Sequence, residues 1–227
     1  MWHPVKQNTD EPCPCCGKTW MDGLRPGKVT GSTLEHVMAW HDKPVIDKKT
    51  KMVLFPKWGE PAQRDAVEIA VIESGGEPTV HDYTNNSMER GKEQEPIARS
   101  LYEAEYFCNV TNGGFFDNNK TGCSPDGLVS TNGVIEIKSV ISHVHYNCIK
   151  FNHYDPKYKW QLLHNLKETG REWIDFVSYC SSFPEGKRLF VNRIYAKDVQ
   201  DEFNIIEKRL EDFFRLVDEI KDRIVNA

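Results

Sequence analysis

The sequence predicts a mixed α/β domain in which helices flank one central mixed β-sheet. Apolar residues recur every three or four positions toward both ends of the chain, as in amphipathic helices, whereas the middle contains short segments of alternating polarity. Asn132-Gly133 lies between two of those segments and is a strong hairpin signal. The 227 residues show no internal repeat and suffice for one domain with its own core. We therefore expect a single domain over residues 1–227, with a Cys-, Pro- and Gly-rich segment at about 1–24.

Five helices are expected from the spacing of apolar residues and from residues typical of helix ends. Their predicted spans are 32–40, 60–74, 91–108, 157–169 and 201–225. Ser32 and Glu35 form a capping pattern at the start of the first helix, and Gly75 closes the second. Pro96 must lie in the first turn of the third helix or kink it. Residues 41–57, with five lysines, are interpreted as a mobile connection.

Four strands are expected in the middle of the chain. Their predicted spans are 121–130, 133–140, 173–181 and 188–195. The Asn-Gly hairpin joins the first pair, and the turn residues Pro184 to Gly186 separate the second pair. Because helices precede, separate and follow these strands, the elements together indicate a mixed sheet covered by helices.

The composition excludes several classes of protein. Hydrophobic residues make up 39% of the chain and charged residues 28%, which is typical of a globular protein and excludes global disorder. No apolar run approaches the roughly 18 residues of a membrane-spanning helix. The first residues lack a secretory pattern and the seven cysteines are odd in number, so we expect free thiols in a reducing compartment.

The charge distribution is uneven along the chain. The net charge of −5 argues against a protein that is evenly basic for nucleic-acid binding. Residues 138–171, however, contain six basic residues against two acidic ones. A polyanion such as DNA is therefore a possible partner if one basic face is segregated from the rest of the surface.

Side chains with catalytic potential concentrate in the predicted hairpin, at Asp126, Glu136 and Lys138. Because side chains alternate along a strand, Glu136 and Lys138 share one face about 6.6 Å apart, while Ile135 and Ile137 point into the core. The hairpin brings Asp126 opposite this face. Two carboxylates beside a lysine are suited to a hard divalent cation such as Mg²⁺. The alternative is a hairpin whose outer face is simply polar.

The same hairpin resembles the signature of the PD-(D/E)xK nucleases, through Pro125-Asp126, Glu136 and Lys138. Within that group the chain is most similar to the bacteriophage lambda exonuclease type of viral recombination nuclease, the YqaJ-like family. Three further stretches carry this closer resemblance: residues 25–32 as R-x-G-x-x-T-x-S, residues 91–95 as G-x-x-x-E, and residues 158–161 as Y-x-x-Q. The resemblance implies a restriction-endonuclease-like core, with a central mixed β-sheet flanked by helices.

The resemblance also implies a set of metal ligands. Asp126 and Glu136 would bind catalytic Mg²⁺ together with the Ile137 carbonyl, and Glu95 would approach the same cluster from its helix. Two ions per site are implied, and Mn²⁺ is expected to substitute for Mg²⁺. From the residues alone, Glu95 is better interpreted as a surface acid near a helix N-terminus.

Three further residues receive catalytic roles from the resemblance. Lys138 would orient or deprotonate the attacking water, with its pKa lowered by the neighbouring cation. Gln161 would position water or phosphate, and Tyr158 would line the cleft.

A second group of residues resembles the family's pocket for a terminal 5′-phosphate. It consists of Arg25, Ser32 and Ser124, and it suits a phosphate because a guanidinium offers a bidentate fork and hydroxyls add donors. Ser32 is alternatively a simple helix cap. A further arginine expected shortly after the catalytic lysine is absent, and His143 and His145 occupy that neighbourhood. Either these histidines substitute for it or the pocket is weaker.

The function implied by the resemblance is a Mg²⁺-dependent 5′-to-3′ exonuclease that acts on the ends of linear double-stranded DNA. It would generate 3′ single-stranded overhangs for recombination by strand annealing. The implied partners are duplex ends, a single-strand annealing protein and further copies of the chain in a trimeric ring, without a membrane. The implied location is the cytoplasm or nucleus of a host cell, for a phage or viral gene product. The alternatives are an endonuclease or repair nuclease with the same core, or a catalytically vestigial DNA-end-binding module.

The N-terminal cysteines resemble half of a zinc-binding loop. Cys13 and Cys16 have the spacing of one ligand pair, but no second pair with this spacing follows. His3, His36 or His41 would complete a site only if the chain folded back. Free cysteines in a loop are therefore the expectation here, in preference to a zinc site.

Overall fold

A five-stranded mixed sheet forms the centre of the fold in the computed structural model, which describes residues 1–7, 9–39, 45–54, 58–79 and 86–226. The strands are β1 (Trp2–His3), β2 (Val45–Ile46), β3 (Val53–Leu54), β4 (Val110–Asn112), β5 (Phe115–Asn118), β6 (Thr121–Cys123), β7 (Gly127–Val129), β8 (Gly133–Ser139), β9 (Trp173–Tyr179) and β10 (Leu189–Tyr195). The central sheet has the order β10-β9-β8-β7-β4. Its β8–β9 pair is parallel and its other pairs are antiparallel, which confirms the predicted mixed sheet.

Two smaller sheets lie beside the central one. The first has the order β1-β5-β6 and brings the N-terminus of the chain against residues 115–123. The second is the antiparallel hairpin β2–β3. This hairpin occupies part of the stretch 41–57 that was interpreted as a connection. The rest of that stretch, residues 41–44 and 55–57, lies outside the described residues.

Helices cover both faces of the central sheet. They are α1 (Gly31–Met38), α2 (Glu60–Glu73), α3 (Asn86–Tyr106), α4 (Ser142–Phe151), α5 (Lys159–Thr169) and α6 (Gln200–Val225). One core cluster joins α1, α2, α5 and α6 to Val134 of β8. A second cluster joins Tyr102 of α3 to Ile135 and Ile137 of the same strand. Because strand side chains alternate, the residues on the Val134 side, including Glu136 and Lys138, face α5.

Several element boundaries differ from the prediction. Helix α1 begins at Gly31, with Thr30 as its N-cap, and Trp40 lies outside the described residues. Helix α3 begins at Asn86, so Pro96 sits in the middle of the helix and not in its first turn. A proline in a helix interior removes one amide donor and crowds the carbonyl four residues earlier, and the other hydrogen bonds of this 21-residue helix offset that cost.

The predicted strand 121–130 is divided into two. Thr121–Cys123 pairs with β5 in the small sheet, whereas Gly127–Val129 pairs with β8 in the central sheet. The intervening residues leave both ladders, and Pro125 among them has no amide hydrogen to donate to a ladder. This break places Asp126 at the point where the chain passes from one sheet to the other.

Helix α4 was not predicted. It buries only His145 and Cys148, and its other side chains are partly or fully exposed. Val144, Cys148 and Phe151 recur at helical spacing, but the helix has only 10 residues, so its periodic signal is short. Among the described residues, none of the helices has the length and apolar character needed to cross a membrane.

Candidate active site

Glu136 lies at the floor of a cleft between β8 and α5, and only 2% of its surface is exposed. Its Oε1 atom accepts hydrogen bonds of 2.7 Å from Lys138 Nζ and of 2.7 Å from Gln161 Nε2. Its Oε2 atom accepts a hydrogen bond of 2.8 Å from Asn165 Nδ2. The face of β8 opposite Ile135 and Ile137 is therefore covered by α5 at this position. Each donor compensates for part of the cost of burying a charge.

Asn165 was not identified from the sequence. It is buried and lies one helical turn after Gln161, so both side chains point from α5 toward the same carboxylate. A polar residue four positions after a candidate site residue, within the apolar stripe of a helix, is the signal that would have revealed it.

Asp126 lies beside Glu136, at the entrance of β7. Its Oδ2 atom accepts a hydrogen bond of 2.6 Å from the backbone amide of Ile137. Burial raises the pKa of the Asp126 carboxyl, and the nearby negative charges of Glu136 and Glu95 raise it further. Asp126 therefore belongs to an electrostatic cluster in which the charges of Glu136 and Glu95 disfavour its ionisation.

Glu95 reaches this cluster from α3. Arg99, one turn further along the helix, contacts Glu95 Oε1 at 3.0 Å and also donates a hydrogen bond to the backbone carbonyl of Asp126. Burial raises the pKa of Glu95 despite this arginine. Since α3 begins nine residues earlier, at Asn86, the interpretation of Glu95 as an acid at a helix N-terminus is wrong.

Lys138 carries a proton in this arrangement. Burial alone would lower the pKa of its amine, but the carboxylates of Glu136 and Asp126 outweigh that effect and raise the pKa. The ring of Tyr158 lies 5.1 Å from Lys138 Nζ and packs against Phe176. Tyr158 thus contacts Lys138, a residue that lines the cleft, and its own role in the cleft stays a prediction.

Arg25 and Ser32 meet at the other end of the same cleft. Arg25 Nη2 donates a hydrogen bond of 2.6 Å to Ser32 Oγ and lies 3.5 Å from Thr30 Oγ1. The guanidinium stacks on the ring of Trp20, with 4.8 Å between Cζ and the ring centroid. The Trp20 indole also donates a hydrogen bond of 2.6 Å to Ser124 Oγ. The three residues predicted to form a phosphate pocket are therefore close together around Trp20.

Ser32 is not the cap of α1. Thr30 is the N-cap residue, and its backbone amide donates a hydrogen bond of 2.7 Å to Thr33 Oγ1. Ser32 instead lies in the first turn with its side chain exposed toward Arg25. Its hydroxyl is therefore available to a ligand, and the interpretation of Ser32 as a simple cap is wrong.

One cleft of about 390 Å³ contains both groups of residues. Its lining includes Arg25, Ser32 and Ser124 at one end and Asp126, Glu136 and Lys138 at the other. An adjoining cleft of similar volume is lined by Asp126, Glu95 and Arg99. A chain of phosphates could therefore contact a cationic, hydroxyl-lined end and a carboxylate–lysine end at the same time.

The two histidines proposed as substitutes for a missing arginine do not line this cleft. His145 is fully buried in α4, where its Nδ1 lies 2.8 Å from Ser178 Oγ and its Nε2 lies 3.0 Å from the Lys187 carbonyl. His143 lines a separate groove beside α4. The substitution hypothesis is therefore wrong for both residues.

A mixed sheet that presents Asp126, Glu136 and Lys138 to one polar cleft is the arrangement expected from the resemblance to the PD-(D/E)xK nucleases. Residues 19–172 match the YqaJ-like viral recombinase domain, and the chain belongs to that family. The resemblance inferred from the hairpin and its neighbouring motifs is thereby confirmed.

Solved structures agree with the family assignment. The chain is 30% identical to an alkaline exonuclease (LHK-Exo) from Laribacter hongkongensis, over 89% of this chain and 93% of that chain, with a TM-score of 0.71. The structure of LHK-Exo in complex with dAMP gives 29% identity, coverage of 89% and 95%, and a TM-score of 0.68. A phage-related exonuclease from Haemophilus somnus 129PT, at 16% identity, coverage of 88% and 95%, and a TM-score of 0.56, shares the fold. Among curated proteins, no sequence matches the chain.

Proposed function

We propose that the protein is a metal-dependent exonuclease that degrades the 5′-terminated strand of linear double-stranded DNA and leaves a 3′ overhang. One observation carries this proposal: the carboxylate–lysine cluster and the Arg25–Ser32–Ser124 cluster line the same cleft. A terminal 5′-phosphate held at the second cluster would place the adjoining nucleotides of its own strand at the first. The relatives named as exonucleases support the general class of reaction.

The donor set fits a hard divalent cation. Asp126, Glu136 and Glu95 offer carboxylate oxygens, which Mg²⁺ and Mn²⁺ prefer, and their mutual repulsion is the kind that a bound cation relieves. Oε1 of Glu136 already accepts two hydrogen bonds, whereas Oε2 accepts one, from Asn165, and keeps a second lone pair for coordination. The Ile137 carbonyl and the count of two ions remain predictions. When bound, such an ion would polarise a phosphoryl oxygen and activate water.

The other residues of the cleft would position the reacting groups. Lys138 is an ammonium beside Glu136, so it would donate a hydrogen bond to the attacked phosphate or to the attacking water before any transfer of its proton. Gln161 and Asn165 hold the Glu136 carboxylate in one orientation. Such preorganised groups favour the transition state because they do not need to rearrange during the reaction.

The proposal is tested by digestion of linear duplexes labelled at the 5′ or the 3′ end, with and without Mg²⁺. We expect early release of the 5′ label, survival of the 3′-labelled strand and no reaction without the metal. Mn²⁺ should restore activity. Degradation from 3′ ends, or rapid cutting of closed circular duplex, would overturn the proposed polarity and favour an endonuclease. Binding of ends without any cleavage would favour the vestigial module.

The proposal extends to the assembly that would act on DNA. A ring of three copies would enclose the duplex and would explain how a chain of net charge −5 keeps a basic surface toward DNA. The 3′ overhang would be passed to a single-strand annealing protein inside a host cell. Sedimentation of the purified protein with and without duplex DNA tests the trimer, because monomers under both conditions would contradict it.

A further inference from the structure

Four potential metal ligands converge in the N-terminal segment, away from the carboxylate cluster. They are the imidazole of His3 and the thiols of Cys13, Cys15 and Cys16, and their ligand atoms all lie within 4.8 Å of one another. His3 belongs to β1, where pairing with Phe115 of β5 holds it in place. The chain therefore folds back in the way that the sequence alone could not establish.

The distances suit a tetrahedral ion. His3 Nδ1 lies 3.8 Å from Cys13 Sγ, 3.3 Å from Cys15 Sγ and 3.4 Å from Cys16 Sγ. Bonds of about 2.3 Å to sulfur and about 2.0–2.1 Å to nitrogen place neighbouring ligands of tetrahedral Zn²⁺ roughly 3.5–3.8 Å apart. Of these four distances, which include 3.0 Å between the Cys13 and Cys15 sulfurs, only that one is shorter than this range by more than a few tenths of an ångström. Small changes in side-chain torsion angles would therefore complete the geometry.

The loop that carries the cysteines is already folded for chelation. The Gly17 amide donates a hydrogen bond of 2.8 Å to the Cys13 carbonyl, and the Cys13 amide donates one of 2.8 Å to the Lys18 carbonyl. Gly17 has φ +72°, a conformation that glycine adopts without strain. This tight turn directs three sulfurs toward a single point.

Hydrogen bonding does not explain this convergence. A single imidazole nitrogen either donates one proton or accepts through one lone pair, so it cannot bond well to three thiols at once. A cation at the centre, in contrast, would bind all four atoms. Three thiolates and one imidazole are among the ligand sets of structural zinc sites.

We propose that His3, Cys13, Cys15 and Cys16 bind one Zn²⁺ ion. Because the four side chains fill a tetrahedral coordination sphere, the ion keeps no open position for substrate and its role is structural. This proposal reverses the expectation of free cysteines at this loop. It concerns a site separate from the carboxylate cluster and does not depend on the proposed nuclease activity.

The ion would fasten together two segments that border the cleft. On one side of the cysteine loop, the Gln7 side chain donates a hydrogen bond of 2.6 Å to the Pro125 carbonyl, next to Asp126. On the other side, Trp20 binds Ser124 and supports Arg25. Zinc would thus hold in place the two segments, at Gln7 and at Trp20, that bind the residues next to Asp126.

Metal analysis of the purified, reduced protein tests the proposal. We expect about one zinc ion per chain after growth with added zinc and dialysis. Cys16→Ser and His3→Ala should each lose most of this zinc, whereas Cys108→Ser, which changes a thiol elsewhere, should retain it. Asp126→Asn should also retain it, because that variant changes only the carboxylate cluster. Since Cys16 is exposed, its replacement removes no core packing, and circular dichroism verifies the fold.

Cobalt provides a second readout that is independent of activity. Co²⁺ added to the apoprotein should give the visible absorption of tetrahedral cobalt bound to thiolates, and Zn²⁺ should abolish that absorption. Cys16→Ser should weaken it. The proposal would be overturned if the wild-type protein neither contained zinc nor gave this absorption with Co²⁺, or if zinc were lost from Asp126→Asn and kept by Cys16→Ser.

Discussion

The side-chain amide of Asn165 donates a 2.8 Å hydrogen bond to Glu136 Oε2, opposite the oxygen that binds Lys138 and Gln161. Both residues are buried, and α5 supplies two of the three side-chain donors that fix the carboxylate. Residues that orient a metal-binding carboxylate in this way commonly affect affinity and rate nearly as much as the ligand itself. Asn165 is therefore a positioning residue of the proposed nuclease.

Replacement of Asn165 by alanine should lower the cleavage rate by about 10- to 100-fold and raise the Mg²⁺ concentration needed for half-maximal activity. The reason is that Glu136 loses one of the hydrogen bonds that hold its orientation. A Mg²⁺ titration of the rate on linear duplex measures both effects. Asn147→Ala, at an exposed position on α4, is the matched control and should behave as the wild type. An unchanged Mg²⁺ requirement in Asn165→Ala would exclude the positioning role.

Asp126→Asn should abolish cleavage while the protein stays folded. The asparagine oxygen can still accept the hydrogen bond from the Ile137 amide, and loss of the charge removes repulsion with Glu136 and Glu95. We therefore expect a Tm in the absence of metal that is equal to or above that of the wild type.

Lys138→Ala should be similarly inactive, with Lys150→Ala as an exposed control. Removal of a catalytic acid–base or metal-binding group costs about 10²–10⁴-fold, so retention of more than about a tenth of the wild-type rate would contradict the assignment.

Arg25→Ala should slow digestion of 5′-phosphorylated duplex more than that of 5′-hydroxyl duplex. Loss of a hydrogen bond between charged groups costs about 1.5–3 kcal/mol, or about one to two decades in rate if the contact persists in the transition state. Arg25→Lys should give an intermediate result, because it keeps the charge and loses the bidentate fork. Initial rates on the two substrates measure the difference, with Arg64→Ala on the exposed face of α2 as control. Equal slowing on both ends would remove Arg25 from the phosphate pocket.

Ser32→Ala and Thr33→Ala should separate ligand binding from helix capping. Thr33 Oγ1 accepts a hydrogen bond from the Thr30 amide, so its removal should lower the free energy of unfolding by about 0.5–1.5 kcal/mol. Ser32 Oγ bonds to the side chains of Arg25 and Thr30 and, among the described residues, to no helix amide, so Ser32→Ala should lower stability less than Thr33→Ala and reduce the preference for 5′-phosphorylated ends. Urea denaturation and the two-substrate assay together distinguish these outcomes. Destabilisation by Ser32→Ala as large as that by Thr33→Ala would restore the cap interpretation.

Acidification from pH 7 to 5.5 should destabilise the fold through its buried histidines. His145 Nε2 donates a hydrogen bond to the Lys187 carbonyl, and its Nδ1 lies 2.8 Å from Ser178 Oγ, a hydroxyl that can donate to the neutral ring. Burial lowers the pKa of His145. Its contribution to stability is therefore complete above the unfolded pKa of about 6.5 and is lost as the pH falls toward the folded value, by up to about 1.4 kcal/mol per pH unit.

His145→Gln should weaken this pH dependence, because glutamine does not titrate. Some dependence should persist through His164, whose pKa is also lowered by burial. Urea unfolding at several pH values gives the difference between wild type and variant, in which contributions from the carboxylates cancel. Identical slopes for the two proteins would show that His145 does not control the acid response.

Much of the fold was predictable because its signals are local. The bounds of α2, β9, β10 and α6 agree with the prediction to within two residues, since apolar spacing and end signals directly reflect helices and strands. The mixed sheet flanked by helices is confirmed for the same reason. Helix α4 escaped prediction because its helical periodicity extends over only 10 residues, and the start of α3 was placed at residue 91 and not at Asn86 because Pro96 was expected in the first turn.

The sequence by itself determined the grouping of Asp126, Glu136 and Lys138, because strand alternation and one tight hairpin relate residues that are close along the chain. Only the tertiary structure decided which side chains surround them. Asn165 reaches Glu136 because the parallel β8–β9 connection carries α5 across the sheet, and His3 reaches Cys13 because β1 pairs with β5. Such contacts join segments far apart along the chain, and their geometry depends on the packing of whole elements, which no local periodicity encodes.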